Sequence, residues 1–216
     1  MFRAIYCLAG VLLLLGCSVS SSYKGWQIVE ASFEAHGGWE TYRNLDTLTL
    51  VKTTRLFFED GSLESEISET QLFIRNPEYK TTLIREGDTL LSSSIDSIVD
   101  PRIHAAEFIM FQPFSLNNSE ADIEYLGAIE IMNEEEVSEI KITFPESEDI
   151  WWFYFDKEKK CVANKVFHNS RYSWIENLAF QNYNDLLLHK HRKSYFLDSL
   201  GNNEYLRSEY FYHILE

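Results

Sequence analysis

Residues 24–51 read KGWQIVEASFEAHGGWETYRNLDTLTLV, and a change of period inside them decides the fold class. Trp26, Val29 and Phe33, with Ile28 and Ala35, recur at the spacing of one helix face, while Gln27, Glu30 and Glu34 fall between them. Gly37-Gly38 follows, and glycine accepts the left-handed backbone that closes a helix. His36 stands where a partial positive charge suits the C-terminal dipole. Trp39 to Asn44 reads as one more helical turn. Leu48, Leu50 and the threonines between them then switch to period two, so a strand starts there.

Downstream the chain is rich in strands. Thr47–Phe58 turns at Glu59-Asp60-Gly61-Ser62, a strong hairpin signal, into Leu63–Ile74. After Asn76-Pro77 come Tyr79–Arg85, a turn at Glu86-Gly87-Asp88, and Thr89–Ile95, which completes a four-stranded meander. Asp100-Pro101 opens a second helix over 102–111, stopped at Gln112-Pro113. The remaining strand runs are Ile123–Met132, Val137–Phe144, Ile150–Phe155, Val162–His168, Tyr172–Tyr183, Leu186–Leu197 and Tyr205–Ile214, with an acidic tip at Glu134–Glu136. The expected architecture is mainly β (α+β), an antiparallel sheet of about ten or eleven strands. Twist curls so wide a sheet into an open half-barrel, with one or two helices filling its concave side.

The chain begins differently. Arg3 precedes an apolar run from Ala4 to Leu15 that is too short for a bilayer, which needs about 20 residues. Residues 1–16 therefore read as a cleaved signal. Leu14-Leu15-Gly16-Cys17 resembles the bacterial lipobox, in which the cysteine sulfur receives a diacylglycerol. The resemblance implies a lipidation site at Cys17, a tether over 17–23 and a single domain over 24–216. Several acyl chains anchor firmly where one does not. Ser18-Val19-Ser20 carries neither the aspartate of inner-membrane lipoproteins nor an acidic export run, which implies the periplasmic face of the outer membrane.

Composition agrees with one folded domain. Apolar residues make up 45% and aromatic residues 15%, which excludes disorder, and the formal charge of −15 makes nucleic acid and anionic membrane surfaces poor partners. Cys7 leaves with the signal and Cys17 becomes a thioether, so Cys161 has no disulfide partner in the mature chain. Its setting, Lys159-Lys160-Cys161-Val162, has no nearby histidine and reads as a packed thiol.

The helix running into Ala35-His36-Gly37-Gly38-Trp39, then Tyr42, Leu45 and Thr47-Leu48, behind a lipobox and ahead of long antiparallel strands, resembles Gram-negative lipoproteins of the LolA/LolB-like superfamily. Trp152–Asp156 resembles a strand-to-turn element of that group. The resemblance implies an open β-barrel around helices with an apolar cavity that, in carrier members, holds acyl chains. The hairpin tips Asp60-Gly61, Glu134–Glu136 and Asn202-Asn203 are all polar, so the apolar transfer loop of LolB-like receptors has no counterpart among them. No arginine latch of the carrier type is identifiable.

Chemical motifs are sparse. No Gly-x-Ser-x-Gly, His-Glu-x-x-His, Walker loop or dinucleotide fingerprint occurs. His189 and His191, two apart on a strand, would share a face, but their basic surroundings, His189–Lys193, read as a solvated surface and not as a metal site, which needs three or four ligands. In Ile150–Phe155, Trp151, Phe153 and Phe155 point one way and Trp152 and Tyr154 the other, so one face meets the core and the other packs on a further element or lines a ligand surface. Trp26, Phe33, Trp151, Phe153 and Phe155 are the expected ligand-contacting aromatics. The leading expectation is a non-enzymatic, cofactor-free, membrane-tethered module binding a lipid or lipoprotein acyl chain. The alternatives are an envelope-complex scaffold with a filled barrel, and a hydrolase assembled from distant strands.

Overall fold

The computed structural model describes residues 20–76, 79–94, 100–131, 136–145 and 147–215. The leader, Cys17, Ser18-Val19, Pro77, Ile95 and the tip residues 133–135 lie outside them. Among the described residues three α-helices, α1 (Ser21–Ala35), α2 (Trp39–Arg43) and α3 (Pro101–Met110), accompany eleven strands. These are β1 (Thr47–Phe57), β2 (Leu63–Ile74), β3 (Lys80–Arg85), β4 (Asp88–Ser94), β5 (Asp122–Ile129), β6 (Val137–Thr143), β7 (Ile150–Phe155), β8 (Cys161–His168), β9 (Arg171–Tyr183), β10 (Leu186–Leu197) and β11 (Asn203–Ile214).

All strands form one antiparallel sheet in the order β4-β3-β2-β1-β11-β10-β9-β8-β7-β6-β5. Two meanders are thus joined back to back by the β1–β11 pairing, in which Lys52 faces Tyr212. The sheet stays open because β4 and β5 are its two edges. Consecutive in sequence, they stand at opposite ends of the sheet. The chain between them has to cross the open side, and α3 with the 3₁₀ turn Phe114–Leu116 makes that crossing.

The helix α1 begins at Ser21, inside the stretch read as tether, because Ser20 caps it: its Oγ accepts the Tyr23 N–H at 3.2 Å. Its buried face, Ile28, Val29 and Phe33, packs into the core with Ile123, Ile140 and Phe153, and each such side chain contributes about 1.5–3 kcal/mol. Gly25 lets the helix lie flat on β5, since a Cβ there would stand 2.7 Å from Ile123 Cγ2. At the far end Gly37 has φ +109° and its missing Cβ would fall 2.2 Å from the Asp185 carbonyl oxygen. The helix end is therefore pressed against the β9–β10 turn, where Leu187 N–H donates to the His36 carbonyl at 3.0 Å.

Aromatic rings pack together where α1, α2 and β2 meet the turn that follows α3. Tyr42 stacks on Phe114 with centroids 4.6 Å apart, Phe33 lies 5.7 Å from Phe114, and Phe111 meets Phe73 edge-on at 5.2 Å. The opposite face of β7 is settled differently from either expectation. Tyr154 is buried against Trp174 at 4.9 Å, and Lys165 lies 4.3 Å above Trp152, so side chains of neighbouring strands cover that face. Long amphipathic side chains can cover apolar surface in this way while their charged heads stay wet.

Candidate functional site

The concave face of the first meander is laid out in cross-strand rows. Leu48, Phe73 and Thr81 form the innermost row, all buried. One step outward, Leu50, Gln71, Leu83 and Leu91 are in register. A further step of two residues, about 7 Å along the strands, brings Tyr212, Lys52 and Glu69 into line, with Arg85 continuing that row on β3. The floor thus passes from apolar to charged over a short distance.

Over this floor lies α3. Asp100 caps it, its carboxylate accepting the Arg102 N–H at 2.9 Å, and Thr81 Oγ1–H donates to the Glu107 carboxylate. Ile103 and Met110 are buried beneath it. Between helix and floor remains a cleft of about 310 Å³, at the lower end of the roughly 300–1,000 Å³ of ligand sites. Its apolar lining is Leu83, Leu91, Ala106 and Ile109, with Ile67, Leu90 and Ala105 nearer solvent.

Its charged lining is Lys52, Arg85 and Arg102 against Glu69. Arg102 is occupied by Asp100, two N–H groups donating to its two oxygens at 3.1 Å. Glu69 is held from one side by Gln71 Nε2–H at 2.8 Å and meets Arg85 Nη2 only at 3.7 Å, an ion pair beyond hydrogen-bond length. Arg85 Nε is buried without a hydrogen-bond partner.

On the other flank of α3 a recess of about 150 Å³ is lined by Tyr42, Tyr79, His104, Glu107, Phe108, Phe111 and Ser115. Burial beside the Glu107 carboxylate pushes the Tyr79 phenol up. The Arg75 guanidinium, just past the end of β2, lies over Tyr42 at 4.3 Å and over Phe111 at 5.0 Å, two of the rings that line the recess.

A third polar constellation is closed to solvent. Arg192 is buried on β10; its Nε–H donates to Asn177 Oδ1 at 2.7 Å and an Nη2–H to Asn164 Oδ1 at 2.9 Å. Asn177 in turn donates to the Cys161 carbonyl at 2.7 Å, and Asn164 to Cys161 Sγ at 3.4 Å. Cys161 is a packed free thiol, pushed up to about 12 by burial and so unreactive at neutral pH. Nearby, the rings of His36 and His189 both rest on Phe180, at 5.6 and 5.3 Å. His36 Nδ1–H donates to the Ser32 carbonyl at 2.9 Å. Burial lowers His36 to about 4, so it closes the helix as a neutral ring and carries no charge for the dipole.

The expected histidine pair is not on one solvated face. A bulge separates His189 from His191: His189 is 1% exposed, whereas His191 Nε2 meets the Glu209 carboxylate at 2.8 Å and its ring stacks on Phe211. No group of three or more His, Cys, Asp or Glu positioned for a metal is found among the described residues.

The five expected ligand-contacting aromatics belong to the core. Phe33, Phe153 and Phe155 are buried in it, Trp26 and Trp151 pack against it, and none lines the cleft or the recess. Lys52, Glu69 and Arg85 went unnoticed in the sequence because each is a lone charge in an ordinary strand. Only the register joins them.

No protein-family model and no curated protein sequence matches the chain. Among solved structures, a LolA superfamily protein from Nitrosomonas europaea superimposes with TM-score 0.50 at 11% identity, over 89% of this chain and 91% of that one. A DUF1329 family protein from Desulfovibrio piger aligns over 92% of both chains with TM-score 0.46 and 9% identity. The eleven-stranded open sheet with its helices is a LolA-like fold.

Proposed function

We propose that this protein is a lipid-anchored envelope protein that holds one apolar chain between α3 and the β1–β4 meander. The observation that carries the reading is the cleft itself, an unfilled space of about 310 Å³ with an apolar floor beneath a helix that spans the open side of the sheet. It corresponds to about ten water molecules at ~30 Å³ each, which suits a single chain of medium length. The lipobox at Leu14–Cys17 supports attachment to the membrane, and Ser18-Val19-Ser20 supports the periplasmic face of the outer membrane. The LolA-like fold agrees with a carrier or receptor of acyl chains.

Native mass spectrometry of protein purified from membranes, before and after solvent extraction, tests the reading. Co-purified lipid or uptake of a fluorescent fatty acid is expected. Ala105→Trp, placed at an exposed position on the cleft wall, is expected to abolish uptake without lowering the melting temperature. Equal uptake by that variant would remove the ligand from this cleft.

A further inference from the structure

Resting on the proposal that the cleft binds a chain, we infer that its ligand is a single-chain amphiphile with an anionic oxygen head, a carboxylate or a phosphate, seated at Arg85 and Lys52. The whole chain has a formal charge of −15, yet this cleft is lined by three cations and one carboxylate. Arg102 is neutralised by Asp100, and Glu69, which accepts from the neutral Gln71 and pairs loosely with Arg85, offsets one of the other two cations, so the cleft keeps one positive charge in excess.

The remaining two cations have unused capacity. Arg85 leaves its buried Nε–H without an acceptor and sits 3.7 Å from Glu69, too far for that carboxylate to accept from it. Lys52 faces the ring of Tyr210 at 5.3 Å and makes no ion pair among the described residues. The Arg85 side chain is 40% exposed, so an oxyanion at the Lys52–Arg85 row would accept from its accessible guanidinium N–H groups and from Lys52 while offsetting the excess positive charge. Glu69 between the two cations keeps them apart and limits the site to a head of low charge. From that row the chain runs inward along Leu83, Leu91, Ala106 and Ile109. An uncharged lipid would cover the apolar floor but bring no counter-charge to the Lys52–Arg85 row.

Isothermal titration of the purified full-length protein with decanoate, decyl phosphate and decanol at about pH 8, where a carboxylic acid is ionised, tests the assignment. At least one anion is expected to bind about ten- to a hundredfold more tightly than decanol, the worth of a hydrogen bond to a charged group. The tighter of the two anions identifies the head. Arg85→Met, at a side chain that is 40% exposed, is expected to erase that preference while decanol binding persists; Lys52→Met reduces it. Equal binding of all three probes would overturn the anionic head and leave chain binding standing. Undiminished preference in Arg85→Met would overturn the role of Arg85. Failure of every probe to bind would overturn chain binding itself, and this inference with it.

Discussion

Arg192 and Asn164 meet inside the sheet through a 2.9 Å hydrogen bond, and the guanidinium is satisfied by amide oxygens where a carboxylate would be usual. Among the described residues Arg192 makes no ion pair. A buried cation held only by neutral acceptors depends on every one of them. Asn164→Leu is therefore expected to cost about 2–3 kcal/mol, since it leaves a buried Nη2–H of the cation without its acceptor while Asn177 still holds Nε–H. Arg192→Met costs less, and the double variant recovers most of the loss of Asn164→Leu. Urea melts of the three variants measure the cycle; additive losses would show that the two side chains act independently.

His36 makes the fold acid-sensitive. It is buried beside Ser32 and Phe180, and desolvation lowers it from 6.5 to about 4, with the Ser32 carbonyl and Asp156 acting to raise it and Lys160 to lower it. Because the unfolded chain takes up the proton first, the stability due to neutral His36 is complete above about pH 6.5 and is lost as pH falls towards 4. The loss is on the order of 3 kcal/mol. His189, lowered by burial and by Arg192, adds to it in the same direction. Denaturant midpoints between about pH 7 and 4 are expected to fall steeply in the native protein and less steeply in His36→Gln. Parallel slopes would exclude His36 as the source.

Adjacent glycines should respond unequally. Both Gly37 and Gly38 have positive φ, at +109° and +93°, but a Cβ on Gly37 would stand 2.2 Å from the Asp185 oxygen whereas one on Gly38 meets nothing nearer than 3.6 Å. Gly38→Ala is expected to cost about 1–3 kcal/mol through backbone strain alone, because φ +93° with ψ 146° is a conformation that glycine almost alone adopts. Gly37→Ala adds a clash with backbone that cannot move aside and is expected to exceed about 4 kcal/mol. Thermal melts giving equal losses would show that the β9–β10 turn yields.

Membrane attachment is predicted from Cys17 alone. Cys17→Ser is expected to release the protein from the membrane fraction and to abolish incorporation of labelled palmitate, since two or more chains are needed for stable anchoring. Labelled palmitate retained by the variant would place the acyl group elsewhere.

The sequence by itself determined the elements. Leu63–Ile74, Ile150–Phe155 and Leu186–Leu197, read as strand runs between turn signals, have the same boundaries in the structure, and the Gly37-Gly38 stop begins one residue beyond the His36 cap of α1. Period and turn chemistry are local, so they can be read along the chain. The width of the sheet and its curl follow from the number of such runs. What lies across strands is not local. The pairing of β1 with β11 makes the sheet open between β4 and β5, sends α3 across the gap, and puts Lys52, Glu69 and Arg85 into one row. A one-residue slip in any of those ladders would turn the charges to the other face. The same holds for His36, Phe180 and His189, and for Arg192 with its two asparagines: burial and hydrogen-bond partners arise only when distant strands meet. The aromatic residues expected at a ligand lie in or against the core, because packing used them there. The cleft was left to the residues that packing did not consume, under a helix whose course is set by where two edge strands happen to stand.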